Sequence, residues 1–372
     1  MTLDIREVKT RRDLRIFIKL PYKLHRSHVR WVPPLYSEEW KFFQPSTNLA
    51  CSYSDTTLAL AFENGKPVGR IMGIINHRYN KAKGEKQARF ACLECPNDEG
   101  IAHSLLSFVE NWARARGMAR VIGPMGFTDQ DPQGFLIEGF DHEPSIGTYY
   151  NFKFIPGLVE RQRYEKEMDY AVYRVELPKE VPPFYQKIAE RAARRNVCKI
   201  LDLTKRKQLK TYILPVLRLM NHCFQDLYGY HALDEREMEA LARRFMPVLD
   251  PRFVKIAVSG EDVVGFNVAM PNLAKGFRQA KGRLFPFGIF WILRAARRTR
   301  QLDSLVGGIR SDFRGRGIDA MIGCATMTAA VEASFEFADT HHELEYNRKV
   351  RAEMEKLGGH VYKWFRVYRK FL

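Results

Sequence analysis

The feature that most constrains this chain is a turn rich in glycine and arginine between a predicted strand and a predicted helix. The turn reads Arg314-Gly-Arg-Gly-Ile-Asp319, after the predicted strand 304–309 and before the predicted helix 319–333. Glycines let backbone N–H groups approach an anion closely, and the helix N-terminus and the two arginines add positive charge. The sequence therefore predicts a phosphate-binding turn and a ligand that carries a pyrophosphate.

Length and composition favour a chain with two ordinary domains. The chain has 372 residues, and its hydrophobic fraction of 45% is enough to build normal cores. No apolar run reaches the ~20 residues that cross a bilayer. The first residues carry no apolar signal core. We therefore expect a soluble, cytoplasmic protein.

The cysteines and histidines favour a protein without disulfides or a bound metal. Six cysteines are scattered along the chain, several of them in apolar stretches, which is typical of reduced, buried thiols. Cys92 and Cys95 have no second pair or nearby histidine to complete a zinc site. His341 and His342 adjoin without a cage of carboxylates, which favours a surface or loop role.

Positive charge is both large and concentrated. The formal net charge is +17, and the segment from Lys275 to Arg316 contains eleven Lys or Arg against two acids. Such a field favours a polyanionic partner: coenzyme A, an acidic carrier protein, an anionic membrane surface or nucleic acid. For the arginines far from the turn, a solvated face that only aids solubility is the alternative. Nucleic acid is the weakest of these partners, because no aromatic residues alternate with the basic ones on a repeated platform.

The predicted elements follow the same order in two halves. The first half contains strands at 3–10, 56–62, 67–75, 87–94 and 119–123, with helices at 11–28 and 99–117. The second half contains strands at 197–203, 252–258, 263–269, 304–309, 335–340 and 360–371, with helices at 207–225, 234–245, 319–333 and 347–357. A strand at 170–175 and a Pro-rich segment separate them, so we predict domains 1–175 and 176–372.

This order, with the glycine turn after the fourth strand of the second half, resembles the GCN5-related N-acetyltransferase (GNAT) superfamily. The family motif Arg/Gln-x-x-Gly-x-Gly/Ala is matched from Arg314 onward, except that Asp319 replaces a small residue. The segments 282–293, 361–368, 123–127 and 139–141 resemble a group of bacterial uncharacterised GNAT-like proteins, so the resemblance covers most of the chain. It implies an α/β (α+β) fold with two tandem GNAT-like domains, each a mixed, mostly antiparallel twisted sheet flanked by helices.

The resemblance also implies an N-acyltransferase that passes an acyl group directly from acetyl-CoA or another acyl-CoA to an amine. The cofactor-binding residues that it implies are Val306, Gly307, Gly308, Ile309, Arg314, Gly315, Arg316, Gly317, Ile318, Asp319 and Asn347. Many family members carry a tyrosine acid seven residues after the asparagine, where this chain has Met354. Glu345 and His342 are the candidate bases, and Tyr362 or Tyr368 could replace the missing tyrosine.

The two halves are not expected to share this chemistry. At the place equivalent to the turn, the first half carries Asp98-Glu99, which would repel an anion by ~1 kcal/mol or more per close pair. We therefore predict that the first half is degenerate and buttresses the second half or forms a wall of the acceptor site.

The apolar segment 284–293, flanked by basic residues, leaves three interpretations open: a channel for a long acyl chain, a patch on an anionic membrane, or a core-packed helix. We expect the acceptor to be a small-molecule or lipid amine, whose identity the sequence does not give. One alternative function is a fatty N-acyltransferase that takes its donor from acyl-carrier protein. The other is a non-catalytic GNAT-like protein that binds an anionic ligand or partner, which the departures at Asp319 and Met354 favour.

Overall fold

A computed structural model describes residues 3–372, whose strands form one continuous mixed sheet. The strands are β1 (Leu3–Glu7), β2 (Ser54–Glu63), β3 (Lys66–Asn76), β4 (Gln87–Glu94), β5 (Arg120–Gly123), β6 (Phe135–Glu138), β7 (Glu165–Glu176), β8 (Lys199–Ile200), β9 (Val254–Ser259), β10 (Asp262–Pro271), β11 (Gln301–Ile309), β12 (Phe337–Asp339), β13 (Glu343–Leu344) and β14 (His360–Phe371).

Twelve helices lie within the described residues. They are α1 (Arg11–Leu24), α2 (Tyr36–Phe43), α3 (His77–Lys83), α4 (Glu99–Arg114), α5 (Ile155–Arg161), α6 (Pro183–Arg194), α7 (Arg206–Phe224), α8 (Glu235–Phe245), α9 (Ala274–Ala280), α10 (Gly288–Arg298), α11 (Ile318–Glu332) and α12 (Arg348–Lys356). Among these residues, no helix is both long and apolar enough to cross a membrane.

The sheet contains two units that exchange their last strands. Its order is β1-β2-β3-β4-β5-β14-β7-β12-β11-β10-β9-β8. In each unit an antiparallel meander leads to a helix and then to a parallel strand, which is β4-α4-β5 in the first unit and β11-α11-β12 in the second. The C-terminal strand β14 pairs with β5 of the first unit, whereas β7 pairs with β12 of the second. The fold class predicted from the sequence is confirmed.

Local sequence explains why the well-predicted helices form. Asp98 caps α4 by accepting from the amide of Ile101, and the apolar residues that face the sheet recur at helical spacing. Asp234 and Glu237 form the predicted capping box at the start of α8. Both helices therefore begin where their polar side chains satisfy the first free amides.

The largest differences from the predicted elements concern short segments. The predicted strand 197–203 is reduced to Lys199–Ile200, an edge strand that pairs only with β9. The short helices α2, α9 and α10 have no side-chain cap. The first two were not predicted, and for α10 a core-packed helix was one of the three open interpretations of 284–293. The predicted boundary near residue 175 falls at the end of β7, which lies inside the continuous sheet, so the two-domain division stays a prediction.

Candidate functional site

The turn that joins β11 to α11 leaves the N-terminus of α11 without a side-chain cap. Gly317 occupies the N-cap position with φ 85°, and within residues 3–372 no side chain accepts a hydrogen bond there. A Cβ at Gly317 would lie 2.8 Å from the Cβ of Ala192 on α6, so both the backbone angle and the close packing require glycine. Gly315, with φ 73°, has open space around it. The first amides of α11 are thus free to bind an anion.

The arginines of this turn fall into two groups. Arg310 is ion-paired with Asp262 at 3.1 Å and with Asp312 at 2.9 Å, so its charge is already balanced. Arg314 is exposed, and its Nε donates to the Ile309 carbonyl at 3.1 Å, which fixes the turn. Within residues 3–372, neither Arg314 nor Arg316 has a carboxylate within 4.0 Å. Their positive charges therefore remain available to an anionic ligand.

One edge of β11 is open beside this turn. Residues 301–303 pair with β12 in parallel, and after Asp303 the described strands offer β11 no partner on that side. On its other side β11 pairs with β10 as far as Ile309, with an irregularity that leaves Leu305 unpaired. The wedge, which is the gap between β11 and β12 beyond Asp303, exposes backbone donors and acceptors along 304–309. This segment contains Gly307 and Gly308. An extended ligand can pair with such an edge as an added strand.

A buried polar cluster lies at the apex of this wedge. Asp303 and Asp339 are register partners on β11 and β12, and both side chains are fully buried. Lys363 of β14 donates to Asp339 at 2.9 Å, and the Tyr362 hydroxyl also donates to that carboxylate. Asp303 accepts from Asn272 at 2.9 Å and from a neighbouring glutamine. The apex therefore holds ionisable groups from three strands, cut off from solvent.

The pKa values of these two aspartates are shifted in opposite directions. Burial, together with the Asp339 charge, raises the pKa of Asp303. Burial also opposes ionisation of Asp339, but the adjacent Lys363 ammonium outweighs it and lowers the pKa of Asp339. The cluster thus combines a neutral carboxylic acid with an ion pair. The sequence analysis missed these residues, although a signal was present: Lys363 shares its strand face with the buried Phe365 and Val367.

His342, one of the two predicted bases, lies in an apolar niche behind the wedge. Its ring stacks on Tyr170 of β7 at 5.0 Å and contacts Phe365 of β14 at 4.4 Å between centroids. Burial, reinforced by the neighbouring His341, lowers the pKa of His342 well below its usual value. Its Nε2 is buried without a hydrogen-bond partner in the described chain. The ring is therefore a neutral imidazole with one unsatisfied nitrogen.

Glu345, the other predicted base, is held in an ion pair. Its Oε2 lies 2.6 Å from Lys166 Nζ, and its Oε1 accepts from the Asp169 amide at 3.2 Å. Two residues earlier, Glu343 makes no side-chain hydrogen bond within residues 3–372. Burial, with a smaller contribution from Glu353, raises the pKa of Glu343 to about 8. The sequence analysis did not single out Glu343. Unlike Glu345, it has no ion pair or side-chain hydrogen bond in the described residues.

The remaining predicted residues divide between free and bonded side chains. Asn347 is the N-cap of α12, yet its side chain accepts no capping bond. Met354 is half-buried on α12. The hydroxyls of Tyr362 and Tyr368 are bonded to Asp339 and Glu160. Neither tyrosine therefore offers a free hydroxyl in place of the missing tyrosine acid.

Asp319 lies on the exposed first turn of α11 and faces a second acid across the wedge. Burial and the Asp319 carboxylate raise the pKa of Glu353 on α12. The first turn of α11 and α12 therefore bring two acidic side chains near each other, which disfavours ionisation of Glu353.

The first unit has the corresponding helix N-terminus, but an acidic side chain already caps it. Asp98 accepts from the Ile101 amide at 2.9 Å, and Glu99 pairs with Arg161 at 3.2 Å. A carboxylate thus occupies the position that an anionic ligand would take. Of the two units, only the second presents an uncapped helix beside an open strand edge.

Comparison with known proteins agrees with this architecture. The tandem GNAT protein of the clavulanic acid biosynthesis pathway superposes with a TM-score of 0.57 at 13% identity, over 100% of this chain and 98% of that one. The chain has the tandem GNAT fold. A GCN5-related N-acetyltransferase from Sphaerobacter thermophilus gives a TM-score of 0.53 at 13% identity, over 99% and 95% of the two chains.

Among curated sequences, the chain is 27% identical over 379 residues to a protein named bacterial ceramide synthase from Caulobacter vibrioides. The alignment covers 100% of this chain and 98% of that protein. No family model matches the chain. The tandem GNAT fold accounts for the two similar units, and the second of them carries the open wedge.

Proposed function

We propose that this tandem GNAT chain is an N-acyltransferase that moves an acyl group from acyl-CoA to the amine of a lipid. The observation that carries the proposal is the uncapped N-terminus of α11 beside the open edge of β11. The α11 amides and the unpaired Arg314 and Arg316 suit the pyrophosphate of coenzyme A. Residues 304–309 suit the pantetheine arm, which carries amides that can pair with a strand edge.

The proposed acceptor is a long-chain amine, because the full-length relative from Caulobacter vibrioides is named a ceramide synthase. A ceramide is a long-chain amino alcohol acylated on nitrogen. A cavity of about 200 Å³ adjoins the apex, with Gln301, Tyr362, Asp141 and Glu143 in its lining. The lining also contains Arg30 and Arg174, and Glu143 is paired with Arg278, so the charges of this cavity are balanced.

In the proposed reaction a base takes one proton from the ammonium, and the neutral amine then attacks the thioester carbonyl, so that a C–N bond forms and the C–S bond breaks. A backbone N–H of residues 304–309 stabilises the oxyanion. The second proton that the nitrogen loses passes to the departing thiolate. We assign the base to His342, because its Nε2 is unpartnered, whereas Glu345 is tied to Lys166. Asn347, whose side chain is uncapped, is assigned to the cofactor arm.

Calorimetry with coenzyme A tests the donor site. Arg314→Gln combined with Arg316→Gln removes two charge-assisted contacts of about 1.5–3 kcal/mol each, so we expect an affinity loss of about a hundredfold or more. Arg310→Gln is the matched control, since this arginine of the same turn is already paired with Asp262 and Asp312. Equal losses in the control and the double variant would contradict the assigned cradle.

Turnover assays test the reaction and its donor. Thiol release is measured with long-chain acyl-CoA, acetyl-CoA or acyl-carrier protein as donor and a long-chain amino alcohol as acceptor. The proposal expects acceptor-dependent release from long-chain acyl-CoA and a kcat loss with His342→Gln. A strict preference for acetyl-CoA would count against the lipid acceptor. Faster release from acyl-carrier protein would favour that donor, and binding without release would favour a non-catalytic protein.

A further inference from the structure

The α9–α10 hairpin carries an unusual share of the exposed apolar surface. Five of the eleven large apolar side chains that are exposed in residues 3–372 lie between Phe285 and Leu293. Phe285 and Phe287 are 76% and 71% exposed, and Phe290 is 55% exposed. The aromatic patch is defined by these three phenylalanines with Ile289 and Leu293. Single exposed apolar residues are ordinary, whereas a contiguous cluster marks an interaction surface.

The packing of α10 against α9 keeps the aromatic patch on the surface. Gly288, Ile292 and Ala295 form the buried face of α10. A Cβ at Gly276 of α9 would lie 2.6 Å from the Ile292 Cα, so the two helices pack backbone to backbone. That contact fixes the rotation of α10 and leaves Ile289, Phe290 and Leu293 on the outer face. Of the three interpretations of 284–293, the core-packed helix thus accounts for one face of α10 only.

Basic residues flank the aromatic patch. No Asp or Glu occurs between Asp262 and Asp303, and this stretch contains the whole hairpin. Six exposed basic side chains of the hairpin have no carboxylate within 4.0 Å in the described residues: Lys275, Lys281, Arg283, Arg294, Arg297 and Arg298. Arg278, by contrast, is paired with Glu143. Exposed aromatics among unpaired cations match the apolar and anionic layers of a lipid surface.

We propose that the α9–α10 hairpin docks on an anionic membrane surface, with the aromatic patch inserted among the acyl chains and the flanking cations on the lipid headgroups. The hairpin lies between β10 and β11, and Asn272 at its start donates to Asp303 at the apex of the wedge. Leu284 and Leu305 of β11 belong to one apolar cluster. Docking would bring the wedge to the membrane, where a lipid amine resides. The reason for docking rests on the proposed function, but the surface itself does not.

Vesicle co-sedimentation without any acyl donor tests the docking. We expect the wild-type chain to bind vesicles of equal parts phosphatidylcholine and phosphatidylglycerol, and to bind pure phosphatidylcholine much more weakly. Phe285→Ser, Phe287→Ser and Phe290→Ser together should lower the partition coefficient on the order of a hundredfold or more. Arg294→Gln, Arg297→Gln and Arg298→Gln together should lower it by about a hundredfold, at roughly fivefold per cation.

A matched control removes three cations from the opposite end of the sheet. Lys199 pairs with Val258, beside the turn that joins β9 to β10, whereas α9 follows the far end of β10. The exposed Lys207 and Lys210 lie at the start of α7, close in sequence to β8. The triple Gln variant at these lysines has the same net charge as the arginine variant, and we expect less than a fivefold change. An equal loss in this control would overturn the proposal.

Trp291 offers a local readout, because its ring lies 5.3 Å from that of Phe290. Vesicles with brominated acyl chains should quench its fluorescence, and Trp291→Phe should abolish the added quenching. Absence of quenching with bound protein would overturn insertion of this hairpin.

A dimer that forms without lipid and is lost in the phenylalanine variant would assign the patch to a second copy. Competition between acyl-carrier protein and vesicles would assign it to an acidic carrier.

Because these assays need no turnover, their failure leaves the acyl-transfer proposal to its own tests. An inactive chain that still binds anionic vesicles would contradict the proposed function and leave docking in place. A chain that is active but does not bind vesicles would overturn the docking proposal alone.

Discussion

Gly317→Ala probes the turn on which the site depends. The substitution places a side chain at φ 85°, which costs about 1–2 kcal/mol for an L-residue. It also places a Cβ 2.8 Å from the Cβ of Ala192, an overlap that α6 or α11 must move to relieve. Overpacking of this kind costs about 1–3 kcal/mol. The expected loss in the free energy of unfolding is therefore about 2–5 kcal/mol.

Gly315→Ala separates these two contributions. Gly315 has a similar φ of 73°, but nothing lies within 4 Å of the Cβ position. Its substitution should cost only the backbone contribution, about 1–2 kcal/mol. Ala192→Gly removes the overlapping methyl group from α6, although glycine in a helix costs about 1 kcal/mol by itself. Urea unfolding at neutral pH, followed by circular dichroism, measures all three variants and the combination of Gly317→Ala with Ala192→Gly.

The combination should show a coupling of about 1–3 kcal/mol, so that Ala192→Gly is less harmful beside Gly317→Ala than alone. Equal losses for Gly315→Ala and Gly317→Ala would refute the claim that α6 packs against the turn. Additivity of Gly317→Ala and Ala192→Gly would refute it independently. Either result would leave the turn defined by backbone angle alone.

Three further outcomes follow from the buried charges and caps. Lys363→Met should lower the free energy of unfolding by about 3–5 kcal/mol in urea, because Asp339 would remain buried without its ammonium partner; a loss below 1 kcal/mol would contradict a buried pair. The folded-state pKa of Glu343, about 8, lies above its ordinary 4.5, so this group's stabilising contribution is present below pH 4.5 and lost as the pH rises towards 8. Glu343→Gln should flatten thermal stability across that window, and an unchanged slope would argue against burial of the carboxyl. Asp98→Ala should cost about 1 kcal/mol in urea unfolding without altering coenzyme A affinity, since it caps only α4; a tighter affinity would place the ligand on the first unit, where this carboxylate now blocks the helix N-terminus.

The elements that the sequence predicted well are those whose signals are local. The strands 87–94 and 360–371 were predicted with their observed ends, and the capping box of α8 fixed its start. The turn before α11 was also predictable from the sequence, because its positive φ angles require glycine, and glycines can be read directly from the sequence. Helices α9 and α10 have no comparable local signal, because neither has a side-chain cap. Their close packing is a tertiary contact, which a local sequence pattern does not show.

The apex cluster was beyond the reach of local reasoning for a related reason. Asp303, Asp339 and Lys363 come from strands distant in sequence, and only the pairing of β11 with β12 and the entry of β14 bring them together. The assignment of Glu345 as a base rested on its place in a motif. Its partner Lys166 belongs to β7 of the first unit, so no pattern within the second half could reveal the ion pair.

The strand exchange gives the first unit a part in the site even though its own helix N-terminus is closed. Strand β7 supplies Tyr170, on which His342 stacks, and it pairs with both β12 and β13. Strand β14 supplies Lys363 to the apex while it pairs with β5 of the first unit. A shift of the first unit would therefore move the imidazole and the buried ion pair together. The first unit therefore shapes the wedge through these contacts, although its own helix N-terminus is capped by Asp98.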